Sequence, residues 1–178
     1  MALHIAFEKS ADTWLKKIVR AFAGPYVHTE IIVTQHEPVR AHTAYSAYVY
    51  ENFSRTPEKD FEFSDERHDF LYIPVTPEES KRISQTCEAC VLSKIPYNTS
   101  DMILSQLPLR NPTECDIFHT GTLFCSQAVV LVLRSCLDKT HPLQDQLNTI
   151  NSRVISPTQI YNLLLPYATP RTQIQVFR

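Results

Sequence analysis

A thiol attacks a carbonyl as its thiolate, so it needs a base within hydrogen-bond reach and a third polar group to hold that base. In this chain the residue best placed to be that thiol is Cys125. It opens the run Cys125-Ser-Gln-Ala-Val-Val-Leu-Val-Leu-Arg134, which follows the polar turn Thr120-Gly-Thr122. Thr120 or Thr122 suits an N-cap, and capping by Thr122 puts Cys125 at the third helical position. A thiol there lies in the positive end of the helix macrodipole, and the nearby backbone N–H groups can hold an oxyanion. The continuous apolar run 128–133 predicts a helix buried on most sides. A lone cysteine in such a run is also an ordinary small core residue, so the chemistry depends on what reaches it.

The candidate base is His28. Residues 26–34, Tyr-Val-His-Thr-Glu-Ile-Ile-Val-Thr, are rich in β-branched side chains and read as a strand. Period two puts His28, Glu30 and Ile32 on one face and Thr29, Ile31 and Val33 on the other. Residues 35–38 read as a turn, and residues 39–50 as a second strand antiparallel to the first. In that hairpin His42 is the candidate orienter of His28, with Glu30 competing from the same strand. Which one serves depends on a register that the sequence leaves open. Tyr97 and Tyr26 are candidate helpers of the backbone in stabilising an oxyanion or holding substrate.

A second constellation is Cys87-x-x-Cys90 with Cys115-x-x-x-His119, four ligand types that suit tetrahedral zinc. Cys87 and Cys90 fall inside a predicted helix, where cysteines three apart pack rather than chelate, so neither a metal nor a cofactor is expected. The acids in residues 58–65 read as solvated charge, which gives paired-carboxylate hydrolysis little support. Tyr45, Tyr48 and Tyr50 offer stacking surface, but Arg40 is the only nearby cation before Arg55, so nucleic acid is not an expected partner.

The remaining elements are read as a frame for this pair. Residues 3–7 form a short apolar strand. Ser10 caps a helix over residues 11–22, with Trp14, Leu15, Ile18, Val19 and Phe22 at core spacing and Lys16, Lys17 and Arg20 outside. The same pattern suits peripheral membrane contact. Ala23-Gly24-Pro25 ends that helix. Residues 51–68 form a loop or peripheral strand, and residues 69–75 a third strand. Thr76-Pro77-Glu78-Glu79 starts a helix that runs to about residue 93, and Ser156-Pro157-Thr158-Gln159 starts another to about 165. A short helix near 99–105, a loop over 107–119, a polar stretch over 141–153 and a closing strand at 172–177 complete the reading. The fold class is α+β, a small antiparallel sheet packed against helices in one domain spanning residues 1–178.

Composition sets the bounds. The 178 residues are 43% hydrophobic and 20% charged with a formal net charge of −2, which fits a globular protein without a basic field for nucleic acid. The two glycines rule out a glycine-rich phosphate loop. No basic segment followed by a long apolar run opens the chain, so no signal peptide is expected. The five cysteines then point to free thiols in a reducing, cytoplasmic setting.

Several of these segments, in this order, resemble the circularly permuted branch of the NlpC-type, papain-like cysteine peptidase superfamily. His28-Thr-Glu-Ile31 resembles its histidine strand, and the following strand carries its third polar residue near His42. Pro96-Tyr97-Asn98 resembles its Pro-Tyr-Asp/Asn element, Cys125-Ser126-Gln127 its nucleophile helix, and Ser156-Pro157-Thr158-Gln159-Ile160 its late helix. The resemblance spans about residues 26–165. It implies a papain-like core in permuted order and a Cys125–His28 hydrolase working through a thioester. Its substrate would be a peptide or other amide. Alternatively it would be an acyl lipid, as for lecithin:retinol acyltransferase relatives; a member that keeps the fold only for binding is the third possibility. Predicted cysteine hydrolases of large DNA viruses are also relatives, which would place such a protein in a host cytoplasm or virion.

Overall fold

Alternation of apolar and polar residues, enriched in β-branched types, gives the strands. In the computed structural model, residues 2–35, 41–47, 52–57, 63–64, 66–98, 102 and 121–169 are described. The strands are β1 (Ala2–Glu8), β2 (His28–Gln35), β3 (Ala41–Ala47), β4 (Phe53–Pro57) and β5 (His68–Pro74). They form one antiparallel sheet in the order β4-β3-β2-β1-β5. The fold class is therefore α+β, as the sequence implies. β4 realises the peripheral-strand alternative for residues 51–68; Pro57, which lacks an N–H, is tolerated there at the end of an edge strand.

The helices are α1 (Trp14–Ala23), α2 (Pro77–Leu92), α3 (Cys125–Cys136), α4 (Gln144–Thr149) and α5 (Pro157–Leu164). α2 and α5 start where the sequence places them. Thr76 and Ser156 each cap the N3 amide while Glu79 and Gln159 reach back to the cap amide, and Pro stands at the first turn of each. The polar stretch 141–153 resolves into α4 and a 3-10 turn at Ser152–Val154. Most of the proposed short helix near 99–105, the loop 107–119 and the closing strand at 172–177 lie outside the described residues.

Helix α1 departs from expectation at both ends. Thr13, not Ser10, is its cap, accepting from the Lys16 amide at 3.2 Å, so the helix begins three residues later. Its inner face is Leu15, Val19 and Ala23, while Trp14 and Phe22 are each 64% exposed. The apolar arc is wider than the neighbouring surface can cover. The row Trp14–Ile18–Phe22, one residue out of step with the buried row, is left at the margin.

The main core lies on one side of the sheet. Leu3, Ile5 and Phe7 of β1, Ile31 and Val33 of β2, and Leu71 and Ile73 of β5 meet Ile83 and Cys87 of α2 and the apolar run of α3. Val129, Val130, Leu131, Val132 and Leu133 are all buried, each contributing about 1.5–3 kcal/mol in area terms. That burial fixes the axis of α3, and hence where its first residue sits. Arg82 of α2 donates to the Cys136 carbonyl at 2.9 Å and closes the other end of α3 with a cation, as the macrodipole favours. The opposite side of the sheet holds a smaller cluster, Ala6, Ile32 and Ala44 against Phe63 and Phe70.

Candidate active site

Cys125 is the first residue of α3, not the third. The N-cap is Phe124, which offers no side-chain acceptor. Thr122 is engaged elsewhere, its hydroxyl accepting from Asn98 Nδ2 at 2.7 Å. The helix start is instead held by backbone. Leu123 donates to the Pro96 carbonyl at 3.0 Å, and Asn98 donates to the Leu123 carbonyl at 2.8 Å, a parallel bridge centred on Tyr97 and Leu123. The Pro96-Tyr97-Asn98 segment is thus the splint that aims the start of α3. With no side-chain cap, the first amides of the helix keep their hydrogens for the sulfur and for whatever approaches it.

Three backbone N–H groups bear on the Cys125 sulfur: those of Thr29, Ser126 and Cys125 itself. Tyr97 also bears on the same sulfur, while its one hydroxyl hydrogen is donated to Met102 Sδ at 2.9 Å. Burial outweighs these donors. The sulfur is nearly inaccessible, and its pKa is pushed up to about 11, first by desolvation, with the Glu30 carboxylate adding to the rise and the three amides opposing it. At rest the group is a thiol.

The Thr29 amide belongs to the peptide bond that follows His28, so the sulfur lies against the backbone next to the candidate base. The local backbone explains how. Pairing of β2 with β3 starts at Ile31↔Tyr45, which leaves the β3-facing edge of Thr29 outside the regular ladder. Its N–H meets the sulfur, and its carbonyl accepts from Ser46 Oγ at 2.9 Å. Ser46 Oγ also lies 3.0 Å from His28 Nε2. A hydroxyl has one hydrogen, and a carbonyl can only accept, so that hydrogen goes to Thr29. Ser46 must then accept at the imidazole, which puts the proton on Nε2 and leaves Nδ1 with its lone pair. This tautomer is assigned from the hydrogen-bond network. Glu30 Oε1 stands 3.8 Å from the same Nε2. Burial holds His28 neutral, its pKa lowered to about 3 first by desolvation and then by Lys16 and His68.

The register excludes His42 as the orienter. It pairs with Thr34, six residues along β2 from His28, which is about 20 Å of strand. Its ring stacks with that of His4, at 6.1 Å between centroids. Ser46, four residues further along β3, takes the place assigned to His42. The sequence carried one usable signal for it: Ser46 shares the strand face of His42 under period two, so a shift in register brings one in as it takes the other out. Tyr26 is not an oxyanion donor either. Its hydroxyl is donated to Asp69 Oδ2 at 2.6 Å, and its ring packs 4.5 Å from that of Tyr161. Tyr97 and Glu30 stay with the site. One further polar group belongs to it: Thr29 Oγ1, buried and without a hydrogen-bond partner.

Of the second constellation, Cys87 and Cys90 are buried in α2, while Cys115 and His119 lie outside the described residues. Among the described residues no group of three or more His, Cys, Asp or Glu side chains is placed to hold a metal ion. Among them too, no helix is long and apolar enough to cross a membrane.

No protein-family model matches the chain, and no curated protein matches it either. One solved structure does: the metalloprotein yiiX from Escherichia coli O157:H7, DUF1105, with a TM-score of 0.57 and 16% sequence identity, covering 95% of this chain and 94% of that one. At that identity the likeness extends to the fold alone.

Proposed function

We propose that the protein is a cysteine-dependent acyl hydrolase in which Cys125 is the nucleophile, His28 the base and Ser46 the residue that orients it. The observation that carries this reading is the Thr29 backbone, whose amide meets the Cys125 sulfur and whose carbonyl meets the hydroxyl that fixes the His28 tautomer.

In the proposed reaction His28 Nδ1 takes the thiol proton as sulfur attacks the carbonyl carbon of an amide, peptide or acyl ester. The C–S bond forms and the carbonyl electrons move to oxygen. The amides at the start of α3, with the Thr29 hydroxyl, are the donors for that oxyanion. The imidazolium, facing Glu30, returns its proton to the leaving amine or alcohol as that bond breaks, leaving a thioester. Water or a second acceptor then gives a proton to Nδ1 and attacks the thioester; the C–S bond breaks, and the imidazolium returns the proton to the departing sulfur. The yiiX structure is described as a metalloprotein; the described residues here do not supply a ligand set for a metal, and no step is routed through one.

The test is labelling by an activated acyl ester and by iodoacetamide at neutral pH, mapped by mass spectrometry. Cys125 should label fastest. Cys125→Ala should remove the acyl adduct, and His28→Ala should slow its formation about a hundredfold or more, with circular dichroism unchanged in both. Faster labelling of Cys87 or Cys136 would overturn the assignment, and full function in a Cys125→Ser protein would favour a binding role. The mass of the adduct left by peptides or by acyl lipids separates the two substrate classes.

A further inference from the structure

Helix α1 carries more apolar surface than the described residues cover. Trp14, Ile18 and Phe22 follow one another at four-residue spacing and form one row. Trp14 and Phe22 are each 64% exposed, and they are two of the four large exposed apolar side chains among the described residues. Lys17, exposed, flanks the Trp14 side of this row, while exposed Arg20 lies about 160° round the helix from Ile18, on the far side. Neither has a carboxylate within ion-pairing distance among the described residues. Lys16 is different: it turns back to Glu8 at 2.8 Å and Asp12 at 3.2 Å. The first turn of the helix contains no acid. The outward surface is thus an aromatic row bordered by uncompensated positive charge.

The inner face of the same helix bears on the thiol site. Leu15, Val19 and Ala23 pack with Val27, Met102 and Phe124, with Tyr97 against them. Phe124 precedes Cys125, and Tyr97 bears on its sulfur.

We propose that α1 docks the protein on an anionic lipid bilayer. Trp14, Ile18 and Phe22 sink into the boundary between headgroups and acyl chains, and Lys17 reaches the lipid phosphates. Tryptophan is favoured at that depth because its ring is amphipathic. A second protein copy fits the patch poorly. The ten-residue helix is about 15 Å long, too short for the roughly 800 Å² per partner of a stable interface. The inference rests on the acyl-transfer reading only in taking the docked surface as the source of substrate, an acyl lipid delivered to Cys125 from the far side of α1.

The test uses the whole chain with vesicles of phosphatidylcholine alone and of a phosphatidylcholine–phosphatidylserine mixture. The protein should sediment with the mixed vesicles about tenfold more strongly, and added salt should reverse the preference. Trp14 is the only tryptophan, so its emission should shift to the blue on binding. The double variant Trp14→Ala, Phe22→Ala should bind about a hundredfold more weakly, and Lys17→Glu should lose the preference for anionic lipid. All three positions are exposed, and circular dichroism checks that the variants fold. Failure to sediment, an unmoved Trp14 emission, or a dimer dissolved by the aromatic variants without vesicle binding would each overturn the docking. Loss of vesicle binding with Cys125 still labelled would overturn this inference alone. Vesicle binding in a protein that never labels at Cys125 would uphold docking and overturn the acyl-transfer reading.

Discussion

Two groups of thiols, both buried, face different surroundings. Cys87, Cys90 and Cys136 lie between α2 and α3, where burial comes first among the causes that raise each pKa: well above the ordinary range for Cys87, to about 12 for Cys90. Thiol neighbours add to the rise at Cys87 and Cys90, and at Cys136 the Thr86 hydroxyl and Arg82 oppose it. Cys125 is equally enclosed, yet three backbone amides meet its sulfur, and one of them, that of Thr29, directly follows His28 in the chain. Exposure therefore does not separate a structural thiol from a candidate nucleophile in this fold. What separates them is the number of hydrogen-bond donors that a sulfur anion would find, and whether a base is there to take the proton.

The comparison is most sharply tested through Ser46. Ser46→Ala removes the acceptor that holds the proton on Nε2, so part of the imidazole population can carry it on Nδ1 instead. Acylation of Cys125 should slow about tenfold to a hundredfold, with a changed pH profile and no change in the labelling of Cys87, measured by mass spectrometry. An unchanged rate would remove Ser46 from the site.

The next effect is on stability in acid. His28 has a folded pKa of about 3 against an ordinary 6.5. Below 6.5 the unfolded chain takes up this proton first, so the contribution is complete above that pH and is lost as pH falls toward 3. Urea midpoints should decline across that window, and His28→Gln should flatten part of the decline. His68, lowered in the same direction by burial, supplies a further part that remains.

A smaller effect marks the structural thiols. Cys87→Ala leaves a gap in a core residue with no exposed surface and should cost about 1–2 kcal/mol in urea unfolding, with Cys125 labelling intact. The smallest is at Glu30. Its charge raises the Cys125 pKa, so Glu30→Gln should move the pH of half-maximal iodoacetamide labelling downward. A shift upward would mean that Glu30 acts on the thiol mainly through His28.

The parts of this arrangement legible in the sequence are those set by neighbours along the chain. The cap-and-proline starts at Thr76 and Ser156 act over three residues, and the structure realises both. The apolar run of α3 and the β-branched run of β2 likewise carry their own period. The site itself depends on longer-range geometry. The choice of Ser46 over His42 is a matter of register between β2 and β3. Thr122 was a sound local cap until Asn98, twenty-four positions away, claimed its hydroxyl. The outward turn of Trp14 and Phe22 follows from how much of α1 the rest of the fold can cover, which no helical period contains.

The junction at Thr29 has one consequence for genetics. Its contacts with the sulfur and the serine are made by main-chain atoms, which nearly every amino acid possesses. A scan of side-chain replacements at position 29 would therefore register only the hydroxyl and pass over the linkage itself. Proline, which has no amide hydrogen to give, is the one encoded residue able to cut it.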